Sequence, residues 1–136
     1  MNGAVFTNTF PWVLPIGQFF LALILVLLFA VTVNALQSRE WNKQKLALAD
    51  WKFDAAYKQA VLLKYPHLND SNVTEAFEQL RNYFYVCWRD ETKSFTVSSQ
   101  LLDECWLVFI RDSRKYFQFC DTVFGYYLQR IPPCAR

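Results

Sequence analysis

The chain has 136 residues and a formal net charge of +2, and its 14 Lys and Arg and 12 Asp and Glu all fall at or after Arg39. A charge-free leader ahead of a mixed-charge remainder excludes a simple soluble globule, and that remainder is long enough for one small domain. Three glycines, one histidine and the low net charge exclude a glycine-rich phosphate cradle, a histidine-rich metal centre and a strongly basic nucleic-acid surface.

From Ile16 to Leu36 the sequence reads IGQFFLALILVLLFAVTVNAL, 21 residues without a charge. As a helix this segment is about 31 Å long, close to the hydrocarbon thickness of a bilayer. Residues 1–36 are therefore expected to form a tail and a single transmembrane anchor. Pro11 and Pro15 suit its first turn and Trp12 the headgroup layer. A cleaved secretory signal is the rival reading, because Val33 and Ala35 have the spacing of a signal-peptidase site. Against it stand the missing basic n-region and an apolar run longer than a signal core. Arg39, Lys43 and Lys45 crowd the C-terminal flank, so the expected topology places the N-terminus outside and the following domain in the cytoplasm.

No proline or glycine occurs between Gly17 and Pro66, so the helix is expected to continue as a stalk over residues 37–64. Leu46, Ala49, Phe53, Ala56, Ala60 and Leu63 recur at heptad-like spacings. That stripe serves either a self-associating coil, which would make a homo-oligomer, or packing against the chain's own core. Trp41 and Trp51 are placed at the lipid interface.

The small helical domain is then expected over residues 65–136. Tyr65 to Asp70 reads as a break, and Asn72 with Glu75 has the form of a capping box opening a helix over 73–89, with Phe77, Leu80, Phe84 and Cys87 on one face. After a polar loop from Asp90 to Thr96, Ser98 or Ser99 caps a helix to about Ile110 that is apolar on most faces and therefore central. Asp112 or Ser113 caps a last helix through about Arg130, ended by Pro132 and Pro133. The fold class is all-α: one N-terminal transmembrane helix followed by a small cytoplasmic bundle of about four helices.

The stretch from Leu80 to Pro133 resembles the glycine-rich-domain-protein-like family. The matching positions are Asp103, Glu104, Trp106, Ile110, Tyr116, Phe119, Cys120, Phe124, Gly125 and Pro132. The resemblance implies a helical, intracellular fold without naming a reaction. Leu107, Gln129 and Arg130 stand where that pattern carries histidines, so any metal or acid–base role of those histidines is missing here.

Catalytic constellations are sparse. His67 sits alone in a turn, and a solvated loop residue is its plain reading. Cys87, Cys105, Cys120 and Cys134 lack metal-ligand spacing and, in a cytosol, stay reduced. Outside the cell their even count allows two disulfides in any of three pairings, and in a eukaryotic secretory pathway the triplets starting at Asn69 and Asn72 would be glycosylation acceptors; between helices such polar triplets arise by chance. Asp103 and Glu104 point about 100° apart on a helix, so they do not form a facing carboxylate pair, and one of them is expected to cap or pair with the Arg111–Lys115 region. Arg111, Arg114 and Lys115, with Asp112 among them, read as a solvated turn rather than a phosphate site.

Aromatics are the excess. Four of the five Trp, all seven Tyr and eight of the thirteen Phe follow the anchor. On the last helix Tyr116, Cys120, Val123 and Tyr127 form one stripe, and Phe117, Phe124 and Leu128 form a second, so that the helix is either central to the core or meets a partner through the second stripe, the candidate partner surface. The functional expectation is a membrane-anchored, non-enzymatic interaction protein, an accessory or scaffold subunit of a membrane complex. Its contacts would be lipid through the anchor and a membrane or cytoplasmic protein, with no cofactor, metal or nucleic acid. The rivals are a small-ligand-binding or enzymatic domain using Asp103, Glu104, Tyr116 and Cys120, and an exported disulfide-bonded domain.

Overall fold

The computed structural model describes Gly3 and residues 13–132, with side chains from Pro15 onward; Pro11, Trp12, Pro133 and Cys134 lie outside the described residues. Five helices and two very short strands follow one another as α1 (Val13–Asp50), α2 (Ala55–Lys64), α3 (Asp70–Arg89), β1 (Ser94–Phe95), α4 (Gln100–Arg111), α5 (Ser113–Val123) and β2 (Gln129–Arg130). The chain divides into two compact units, one up to Glu40 and one from Trp41 onward.

The first unit is the apolar part of α1. Its most apolar window has a mean hydropathy of 2.8 with none of its residues buried, and the helix is long and apolar enough to cross a membrane. Phe19, Phe20, Leu25 and Phe29 are all more than half exposed. Thr32 and Ser38 donate their hydroxyl protons to the carbonyls of Phe29 and Asn34, each at 2.8 Å. These two hydroxyls thus find acceptors in their own preceding turn, which meets their donors without a partner outside the helix.

In the second unit the expected continuous stalk does not form. α1 stops at Asp50, and Trp51 to Asp54 are non-helical, Asp54 in the extended region, before α2 begins. The break carries Trp51 and Phe53 into the core: Trp51 packs on Phe119 with ring centroids 4.9 Å apart, and Phe53 on Phe77 at 5.0 Å and Phe109 at 5.3 Å. Asp54 restarts the helix by accepting from the Ala56 amide at 3.1 Å. Arg81 of α3 donates to the carbonyls of Ala49 and Trp51, which the ended helix leaves without intrahelical partners. The heptad stripe dissolves accordingly: Leu46 and Leu63 are exposed, and Leu48, Tyr57 and Val61 are buried instead. Trp51 is therefore a packing residue and not one at a lipid interface.

α4 is central and packs against α2, α3 and α5. Its Trp106 and Phe109 are wholly buried, with Phe84, Tyr116 and Phe119 around them at centroid distances of 5.1–5.6 Å for the closest pairs. α3 begins at Asp70 with Asn69 as its N-cap residue, so Asn72 and Glu75 lie inside the helix and make no capping box. The reason is the compactness of the preceding turn, closed by Tyr65 N–H to Val61 O and Leu68 N–H to Tyr65 O. Ser99 stands at the N-cap position of α4 without a side-chain bond, whereas Asp112 caps α5 by accepting from the Lys115 amide.

The last helix is shorter than expected. α5 ends at Val123; Gly125, at φ 72°, turns the chain in the left-handed region, and its amide bonds back to Cys120 O at 3.0 Å. Gln129 and Arg130 then pair in parallel with Ser94 and Phe95, so the C-terminal arm is a short ladder and not a continuation of helix.

Candidate functional site

The two adjacent carboxylates take separate cations. Asp103, in the first turn of α4, receives both Nε and Nη2 of Arg130, with Nε 2.6 Å from Oδ1. The side chains are 9% and 16% exposed, so this is a nearly buried, two-pronged ion pair joining β2 to α4. The Asp103 contact leads the causes that raise the Arg130 guanidinium above its usual range. Glu104 meets Lys64 of α2 at 2.8 Å. The expected partner of this pair, the Arg111–Lys115 region, is not engaged by either carboxylate. Lys115 instead bridges Asp54 at 2.8 Å and Asp112 at 3.7 Å, while the Tyr57 hydroxyl donates to Asp112 at 2.8 Å. These contacts bind the start of α2 to the start of α5.

Behind the Asp103 pair lies a buried chain of hydrogen bonds. Trp106 Nε1 donates to the Tyr116 hydroxyl at 3.1 Å, and that hydroxyl donates to Leu128 O at 2.7 Å. Trp106, Tyr116, Phe119 and Cys120 are all buried, and Gly125 ends the helix that carries the last three. Burial drives the Tyr116 phenol well above its ordinary range and raises the Cys120 thiol. Burial likewise pushes Cys87 up to about 11 and Cys105 to about 12. At neutral pH these groups are protonated, and a protonated thiol is a poor nucleophile. Among the described residues the cysteines Cys87, Cys105 and Cys120 are free, and no three His, Cys, Asp or Glu side chains lie close enough together to hold a metal ion. His67 is exposed and meets Tyr65 edge-on, 6.0 Å between ring centroids.

The candidate partner stripe does not survive as a surface. Phe117 is 63% exposed, but Phe124 is 6% exposed and Leu128 wholly buried. The helical spacing that joined them stops applying at Val123, and the turn at Gly125 folds Leu128 inward.

A cavity of about 360 Å³ escaped the sequence reading. It lies where the last turns of α1 meet the end of α3 and the chain after α5, and its lining includes Trp41, Trp88, Phe124, Tyr126, Glu91 and Lys93. Trp41 stacks on Trp88 with centroids 4.0 Å apart. Trp88 Nε1 donates to Gln44 Oε1 at 3.0 Å, and Tyr126 donates its hydroxyl proton to Thr92 O at 3.2 Å. The one sequence signal was Trp41 itself, whose counterparts on α3 and after α5 are far away along the chain.

These features define a small α-helical domain closed by a C-terminal arm and preceded in the chain by a long apolar helical segment. The chain belongs to the UCP032817-like family, whose model matches residues 43–135. The match begins near the start of the second unit and leaves the apolar part of α1 outside it. This overturns the resemblance to the glycine-rich-domain-protein-like family: nothing ties the chain to that family, and Arg130, which the resemblance took to replace a histidine, is the ion-pair partner of Asp103. Comparison with curated proteins and with solved structures finds no match.

Proposed function

We propose that this protein is a membrane-anchored interaction protein, in which α1 crosses the bilayer and holds the family domain on the cytoplasmic side as an accessory or scaffold subunit of a membrane complex. The observation that carries the reading is the apolar part of α1, none of whose most hydrophobic window is covered by the rest of the chain. An apolar surface of that extent requires lipid or protein around it. Arg39, Lys43 and Lys45 on its C-terminal flank favour the domain inside.

Action by contact is supported by the character of the former motif residues. Asp103, Trp106, Tyr116 and Cys120 are spent on an ion pair, a hydrogen-bond chain and packing, with their polar atoms turned into the protein. On α5, Phe117 is the large apolar side chain left facing outward, and it is the anchor we assign to a protein partner. Co-purification of the full-length chain in mild detergent, with and without Phe117→Ser, tests this. The wild type is expected to bring down a defined membrane or cytoplasmic protein that the variant loses. A second reading, small-ligand binding, is favoured by the aromatic cavity beside Trp41.

A further inference from the structure

Glu91 occupies a position that ordinarily belongs to glycine. It follows the C-cap of α3 at φ 52°, and the bonds around it, Thr92 N–H to Cys87 O at 2.9 Å and Glu91 N–H to Trp88 O at 3.3 Å, form a Schellman closure. A side chain in the left-handed region is strained, and α5 is followed by a glycine in the same region, Gly125. Strain retained at one helix end and avoided at the other points to a use for the carboxylate.

That carboxylate lines the aromatic cavity together with Lys93, and among the described residues neither side chain enters a salt bridge. Burial above all, with the Glu91 carboxylate adding to it, raises the Tyr126 hydroxyl on the same wall. Two opposite charges that do not neutralise each other, set among aromatic rings held by Gln44 and Thr92, complement a ligand that is itself a zwitterion. Aromatic faces with a carboxylate suit an ammonium, and a lysine suits a phosphate. Trp41 follows the last residue of the apolar run, Leu36, by five positions, so the cavity's first wall residue comes directly after the segment that the anchor reading puts in lipid, where aromatic residues favour the headgroup layer.

We propose that this cavity binds the headgroup of a zwitterionic phospholipid, its ammonium against Trp41, Trp88 and Glu91 and its phosphate on Lys93. The assignment rests on the membrane anchor proposed above. The test is native mass spectrometry of the full-length chain in a sugar-based detergent, offered equal amounts of phosphatidylethanolamine, phosphatidylcholine and phosphatidylglycerol. The wild type is expected to retain a zwitterionic lipid several-fold over phosphatidylglycerol, and Glu91→Gln to lose that preference. Glu91→Gly is expected to lose it while raising the thermal midpoint, which separates loss of the carboxylate from loss of the fold. Soluble glycerophosphoethanolamine should displace the lipid, and inorganic phosphate should not. Equal retention of all three lipids, an unchanged preference in both Glu91 variants, or displacement by inorganic phosphate alone overturns the proposal. Resistance to alkaline extraction reads the anchor separately, so a chain that stays in the membrane yet shows no zwitterionic preference overturns the cavity assignment only.

Discussion

Arg130 closes the C-terminal arm onto α4 by gripping Asp103 with two guanidinium nitrogens in a nearly buried pair. Removing one member leaves the other charged and without its partner, which costs about 3–5 kcal/mol in a buried setting. Arg130→Ala is therefore expected to lower stability by that order in chemical denaturation, and Asp103→Asn with Arg130→Met to recover part of the loss. If Arg130→Ala unfolds at the wild-type denaturant midpoint, the arm does not hold the domain together.

Trp106 is wholly buried and its indole N–H donates a hydrogen bond to the Tyr116 hydroxyl. Trp106→Ala is expected to destabilise the domain by about 3–5 kcal/mol, the usual loss for a large aromatic in a core. Trp106→Phe, which keeps most of the packing and removes the donor, should cost less, read as a smaller fall in thermal midpoint. A midpoint unchanged by Trp106→Ala would contradict the packing around α4.

Much of this core was legible in the sequence, and the reasons differ from element to element. Residues 101–110 are apolar on most faces, which is the mark of a central helix, and α4 packs against three others. The break at Trp51 was hidden because no proline or glycine marks it; the drive is the burial of Trp51 and Phe53, which depends on α3, α4 and α5 being in place. The end of α5 was signalled by Gly125 and overridden by the apolar spacing that continued to Leu128. Asp103 and Arg130 are 27 residues apart and the walls of the aromatic cavity further still, so neighbour spacing carried no trace of either.

Alkaline pH should weaken the fold. Burial holds the Cys105 thiol up to about 12 in the folded domain, while an exposed thiol in the unfolded chain ionises near about 8.5. A folded value above the unfolded one gives stability that is whole below the unfolded pKa and is lost as pH rises toward the folded one. The thermal midpoint is expected to fall from about pH 9 upward, more shallowly in Cys105→Ala than in the wild type. Identical slopes for the two would contradict burial of this thiol.

Phe117 faces outward, so Phe117→Ser should leave the stability within about 0.5 kcal/mol of the wild type, as surface changes usually do. The same variant is expected to lose the co-purifying partner, while His67→Ala keeps both partner and function. A folded His67→Ala that retains its partner and loses activity would replace contact with chemistry.

We have proposed that α1 spans a membrane with the family domain on its cytoplasmic side, and protease protection tests that placement. Sealed right-side-out vesicles carrying the full-length chain with a C-terminal tag would be washed at alkaline pH in one arm and treated with protease in the other. The chain is expected to stay with the membrane through the wash, and the tagged domain to remain protected until the vesicles are permeabilised. Release by the wash would show that α1 does not span the membrane, and digestion in intact vesicles that the domain is not on the cytoplasmic side.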